Sequence, residues 1–326
     1  MPKDTSCPAS ASGSNDNKKC ILKEADNVLA DFQFPQEMVL PSYSTLHPFY
    51  PEAPRINRMS IRHLLNPLPL PGTSNPDRPR RKRGKKPVIY LFSPTVIEAT
   101  VKLSLVPTWS FSSVYPTVPV ETSESGGDVV EWNVRTHKDG SLTELGTGLA
   151  TSYLFWEADV IPERQINSPQ TKSLGLSNDP GSVNEQFNPA SCNLSDENAV
   201  LLPSSTAAAY LNNVLEMLGL HTEARTSFIT FWLPFFLRHK HIALRFLPQS
   251  MYSYAAPLTV NPKPDVVTRI FMLFTGVTDE DRPKWGLAEQ RAGEDGALWK
   301  DVVGIDELCM KDETLFRVLE WGGMEI

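Results

Sequence analysis

Arg269 stands inside the apolar run Val266 to Phe274, with Val267 and Phe271 on its own side of a strand and Thr268 and Ile270 on the other. A guanidinium in such surroundings needs a carboxylate, because a buried charge is tolerated only when it is paired and hydrogen-bonded. Two carboxylates end comparable runs. Glu157 closes Ser152-Tyr153-Leu154-Phe155-Trp156, and Glu320 follows Phe316-Arg317-Val318-Leu319. The residue types predict an Arg269–Glu157 pair, with Glu320 as a further member. Such a pair can fix strand register as a purely structural device, which is the plainer reading. It can also be a carboxylate anchor or an acid–base group in a cleft lined by Trp156 and Trp232. Glu157 and Arg269 are thus the candidate catalytic residues, and Trp156, Trp232 and Glu320 the candidate binding residues.

Other chemistry finds less support. His239-x-His241 would place two imidazoles on one face of a strand, a geometry that can bind a metal. Arg238 and Lys240 flank them and no third ligand stands at motif spacing, so a solvated polar edge is expected and no metal site. Cys7, Cys20, Cys192 and Cys309 form no C-x-x-C pair, which argues against a zinc ribbon, a redox motif or a disulfide framework. There is no G-x-S-x-G elbow and no P-loop. Gly146-Thr147-Gly148 lacks the third glycine of a nucleotide loop and reads as a turn. No cofactor is expected.

The 326 residues carry a formal charge of −7, so the whole molecule is no generic nucleic-acid binder. The sign is uneven. Arg78-Pro79-Arg80-Arg81-Lys82-Arg83-Gly84-Lys85-Lys86 is almost wholly cationic. It reads as a solvated linker, a nuclear-import signal or a nucleic-acid arm. No aromatic residue interleaves the charges, which argues against base stacking and direct nucleic-acid binding. The N-terminus has no apolar h-region and no run is long enough to span a bilayer, so a soluble cytoplasmic or nuclear protein is expected, with no membrane partner.

Composition divides the chain near residue 86. Residues 1 to 20 are Ser-, Ala-, Gly- and Asn-rich, and Pro35, Pro41, Pro48, Pro51 and Pro54 break up residues 21 to 58. Residues 1–86 therefore read as a disordered, Pro-rich and basic tail. Within it, residues 59–71 combine a short amphipathic turn (Ile61, Leu64, Leu65) with Pro67-Leu68-Pro69-Leu70-Pro71. That segment is the candidate docking motif for a protein partner.

From Pro87 the pattern changes to short strands. Val88–Phe92 is a continuous apolar run; Thr100–Leu105, Trp109–Ser112 and Val130–Arg135 alternate with period two. Asp139-Gly140 supplies a hairpin turn before Leu142 and the Ser152–Glu157 run. Residues 162–203 read as a long polar insertion. Two helices come next, Thr206 to Leu218 with Ser204 or Ser205 as cap, and a second capped by Thr222 and ending near Trp232 before Pro234. Strands return at Ile242–Leu247, Leu258–Val260, Val266–Phe274 and Phe316–Gly323.

Four of these pieces, taken together, resemble an uncharacterised family found in bacteria and fungi. They are Lys86-Pro87-Val88-Ile89-Tyr90-Leu91-Phe92, Ser152–Glu157, Phe231-Trp232-Leu233-Pro234 and Glu320-Trp321-Gly322-Gly323-Met324-Glu325. The resemblance covers about residues 86–326, departs from the family pattern at Phe92 and Met324, and implies a domain boundary but no reaction. The expected fold is α+β: a single domain, 87–326, of antiparallel β-rich sandwich or barrel-like sheets with a two-helix unit. The first functional expectation is a non-catalytic binding or scaffolding domain with an intracellular protein partner. The alternatives are a hydrolase-like enzyme using the Glu/Arg pair in a Trp-lined pocket, and a nuclear regulatory protein acting through the basic tail.

Overall fold

The computed structural model describes residues 83–162, 186–294 and 296–326. The candidate docking motif at 59–71 and the first part of the basic run, 78–82, lie outside the described residues. All described residues belong to the second of the chain's two units, Asn75–Ile326.

In chain order the first strands are β1 (Arg83–Phe92), β2 (Glu98–Ser104), β3 (Trp109–Tyr115), β4 (Val120–Thr122), β5 (Asp128–Thr136), β6 (Leu142–Glu144), β7 (Ala150–Thr151), β8 (Leu154–Val160) and β9 (Val200–Pro203). Helices α1 (Ser204–Met217) and α2 (Thr222–Phe236) come next, then β10 (His241–Phe246), α3 (Gln249–Ala255), β11 (Leu258–Asn261) and β12 (Val266–Val277). Three short helices, α4 (Gly286–Ala292), α5 (Leu298–Val303) and α6 (Glu307–Lys311), precede the last strand, β13 (Arg317–Glu325).

The strands make two sheets, and the fold is α+β. The larger sheet runs β3-β8-β1-β13-β12-β10-β9, and the smaller β11-β2-β5-β6-β7 with β4 beside β5. All pairs are antiparallel except β12 and β13, which run parallel in the middle of the larger sheet. The alternation within β1 shows how the layers form. Ile89 and Leu91 point towards the smaller sheet, into a core shared with Val101, Trp132, Trp156 and Phe271. Val88 and Tyr90 point the other way, into a second core with α1, α2 and α5. Strands buried on both faces need continuous apolar sequence, which β1 and β12 supply.

Several local expectations are revised. β1 starts at Arg83, four residues before the expected boundary, so the end of the basic run is strand. Neither serine caps α1: Pro203 holds the N-cap position and no side-chain cap bond forms. Helix α2 begins at Thr222 itself and runs through Pro234 to Phe236, because an apolar surface continuing past the proline gives the last turn something to bury. The expected insertion is also less uniform than its polarity suggests. Phe187 is buried between Trp109 and Phe271, with ring centroids 5.7 and 5.9 Å away. Residues 163–185 lie outside the described set.

Two glycines let the layers close. β1 carries one extra residue against both of its neighbours, between Lys85 and Val88, and Pro87 in that bulge lies against Gly322 of β13. A Cβ on Gly322 would stand 3.0 Å from the Pro87 Cα, and one on Gly323 would stand 2.9 Å from both the Met272 carbonyl oxygen and the Trp232 ring. Backbone cannot yield as a flexible side chain can. Gly323→Ala is expected to destabilise the fold by about 1–3 kcal/mol, as overpacking does. Gly286→Ala, where no atom lies within 4 Å of the added carbon, should be neutral or slightly stabilising. Chemical denaturation of the two variants checks this, and equal losses would contradict it.

Candidate functional site

Parallel pairing sets Arg269 of β12 directly beside Glu320 of β13. Both face the space between the two sheets, and they are 3 % and 0 % exposed. Arg269 Nε donates to Glu320 Oε2 at 2.5 Å. Glu320 Oε1 accepts from the Trp156 indole at 3.1 Å and from the Tyr252 hydroxyl at 2.9 Å. Arg269 Nη1 donates to the Ala256 carbonyl at 2.7 Å and to the Ser253 hydroxyl at 3.2 Å. Its guanidinium lies over the Tyr252 ring, 4.4 Å from the centroid. Burial beside the Glu320 carboxylate holds the Tyr252 hydroxyl well above the ordinary tyrosine range, so it stays a donor. Arg269, Glu320 and Trp156 therefore do meet, in an enclosure and not in a cleft.

Glu157 does not join them. Period-two alternation sends Trp156 to the inter-sheet side and Glu157 to the helix side of β8. Its carboxylate accepts the Lys86 backbone N–H at 3.3 Å. Trp232 is likewise on the helix side, packed at 5.4 Å on Phe274. The sheet stands between Trp156 and Trp232, so the expected cleft lined by both does not form, and the Arg269–Glu157 pair is replaced by Arg269–Glu320.

On the helix side a cleft of about 580 Å³ opens between the β3–β8–β1 corner and α2. Lys86, Tyr115, Tyr153, Phe155, Glu157, Glu223 and Phe231 line it, with Thr151 and Ser152 at one end. Lys86 is the residue that the sequence placed in the tail. It is the one non-glycine among the described residues with positive φ, at 50°, and it precedes a proline, which further restricts its backbone. A left-handed lysine costs about 1–2 kcal/mol, and here the bulge and the Glu157 contact hold it. The ammonium lies over the Phe231 ring, 5.3 Å from the centroid, and makes no ion pair among the described residues. Burial lowers its pKa from the ordinary lysine value, and Glu157 only partly opposes that. Lys85 is lowered for the same reason and lies 4.2 Å from the Phe235 ring centroid.

The two histidines of the His-x-His pair go to different carboxylates. His239 approaches Glu325 at 3.2 Å, and His241 approaches Asp279 at 3.6 Å. A second cavity of about 270 Å³ lies beside Phe92, His221, Met310 and Arg317. Burial keeps the His221 imidazole below the ordinary histidine pKa, consistent with its place edge-on to Tyr90 and Phe92.

No protein-family model, no curated protein and no solved structure matches the chain. Of the cleft lining, sequence reasoning singled out Glu157 alone; it missed Lys86 and the aromatic walls Tyr115, Tyr153, Phe155 and Phe231. The available signal for Lys86 was Lys-Pro directly before an apolar strand with Gly-Gly later in the chain, a combination that suits a bulge.

The two glutamates should separate by mutation. Glu320→Gln leaves the Arg269 charge buried against a neutral partner and is expected to cost about 3–5 kcal/mol. Glu157→Gln keeps an oxygen for the Lys86 N–H and should cost less than about 1 kcal/mol. Urea unfolding followed by tryptophan fluorescence measures both, and similar losses would contradict the division of roles.

Proposed function

We propose that residues 83–326 form a non-catalytic binding domain, and that the Lys86–Glu157 cleft receives its ligand or partner. The observation that carries this reading is the enclosure of the Arg269–Glu320 network, whose charged groups are 3 % exposed or less. A pair with its hydrogen bonds directed inward to Trp156, Tyr252 and Ala256 serves packing and strand register, and the one Arg269 nitrogen left without a partner among the described residues, Nη2, is itself buried. The solvent-facing concavity is instead lined by aromatic rings with a few charged groups, the usual make-up of a ligand site. The hydrolase-like alternative needs Glu157 and Arg269 together, and they lie on opposite faces of one sheet.

The basic run supports a separate role for the tail in nuclear import or partner binding, as a narrower segment than its composition suggests. Arg83 pairs with Asp159 at 2.6 Å, and Lys85 and Lys86 rest on the rings of α2. The proposed receptor contact is therefore assigned to residues 78–82.

Two measurements test this reading. With reductively [13C]methylated lysines on the full chain, small aromatic fragments of mixed charge should shift the Lys86 signal, assigned through Lys86→Arg, before any other lysine. Fragments that shift only other lysines would overturn the cleft's role. Deleting residues 78–82 should leave the unfolding transition unchanged. Deleting 78–86 should lower stability by about 2 kcal/mol or more, because it removes the paired start of β1 and its bulge. Equal stability of the two deletions would show that the strand does not begin at Arg83.

A further inference from the structure

We infer that the cleft takes a small aromatic zwitterion of the α-amino-acid type, an inference that rests on reading the cleft as a binding site. The charge pattern of the walls carries it. Lys86 and Glu157 sense each other electrostatically, yet the ammonium and the carboxylate form no ion pair. Lys86 has been drawn partly out of water, and among the described residues its ammonium has the Phe231 ring face and a Glu157 carboxylate it does not bond in exchange. A cation–π contact at such a site is weaker than a charge-assisted hydrogen bond. A ligand carboxylate reaching Lys86 would supply that bond.

The same walls reject a polyanion. Glu157 and Glu223 set two negative charges against one ammonium in the cleft lining, so a phosphate-rich ligand would be repelled on two sides. A ligand ammonium is the complement to these carboxylates. A simple cation satisfies them but leaves Lys86 repelled and unpaired. A group with both charges a few ångströms apart answers Lys86 and Glu157 together. The rings of Tyr153, Phe155 and Phe231 supply the apolar wall for a planar side chain. Lys86 also sits in a left-handed backbone conformation, at φ 50°, which fixes where its side chain leaves the chain. The conformation belongs to the bulge that seats Pro87 on Gly322, and it also places Lys86 at the wall of a cleft of about 580 Å³ before any ligand arrives.

The probes are L-tryptophan, L-tryptophan amide, N-acetyl-L-tryptophan and glycine, titrated into the full chain by calorimetry and by the lysine-methyl NMR signal. L-tryptophan is expected to bind and to shift the Lys86 signal. The amide lacks the carboxylate and the acetyl derivative lacks the ammonium, and each should bind at least about tenfold more weakly, the equivalent of one lost charge-assisted contact; glycine keeps both charges but lacks the ring, and should bind at least about tenfold more weakly through lost apolar burial. Lys86→Met should abolish the preference for L-tryptophan over its amide, and Lys86→Arg should keep it. An amide that binds as tightly as the free amino acid, or an acetyl derivative that does, would overturn the zwitterion while leaving the cleft a binding site. Failure of all four probes, with other fragments still shifting Lys86, would overturn the ligand class alone. Failure of every fragment at Lys86 would overturn both.

Discussion

A charged pair buried between two sheets sets the terms for the rest of this fold. Arg269 and Glu320 cannot both be buried unless each finds the other and both find further partners, since the cost of desolvation falls on each ion separately. That requirement fixes β12 and β13 in one parallel register, because a shift of one residue would turn either side chain to the opposite face. It also fixes α3, which brings the Tyr252 hydroxyl and the Ala256 carbonyl to the pair. Trp156 closes the remaining side through its indole N–H. Four elements, β8, α3, β12 and β13, are thus held to one geometry by hydrogen bonds that would each be costly to leave unmade.

The solvent-facing cleft arises from the same central strands. β13 offers Gly322 to Pro87 on one face and Gly323 to Trp232 on the other, so β1 can bulge and α2 can lie close. The bulge leaves the Lys86 amide without a ladder partner, and Glu157 accepts it. One extra residue therefore turns a lysine out of the strand and beside a carboxylate, over an aromatic ring. The segments that supply these contacts come from opposite ends of the domain. Each is short, and their meaning lies in how they meet.

Much of the architecture was legible as period. Alternation in β2 and β5, continuous apolar runs in β1 and β12, and the stripe Leu211, Val214, Leu215 and Leu218 at the α1 helix each announced their element. The need of Arg269 for a carboxylate was legible too, and so was Glu320 as a partner. The choice between Glu157 and Glu320 was not. It depends on which face of β8 looks towards the second sheet, and Ser152 to Glu157 carries large apolar groups on both faces. The parallel pairing of β12 and β13 was also hidden, since strand direction across a sheet leaves no mark in a local pattern. The short helices α4 to α6 were hidden for another reason. They are five to seven residues long and bury only a few side chains each, too little for periodicity to show.

The central claim is that Arg269 and Glu320 act as one structural unit, and a double-mutant cycle tests it most directly. Arg269→Met, Glu320→Leu and the double variant are unfolded in urea beside the native chain. Coupling through a buried pair predicts that the double variant loses far less than the sum of the singles, by about 3 kcal/mol, because an apolar pair replaces two stranded charges. Losses that add within about 0.5 kcal/mol would mean that the two charges do not depend on each other, and the account built on them would fail.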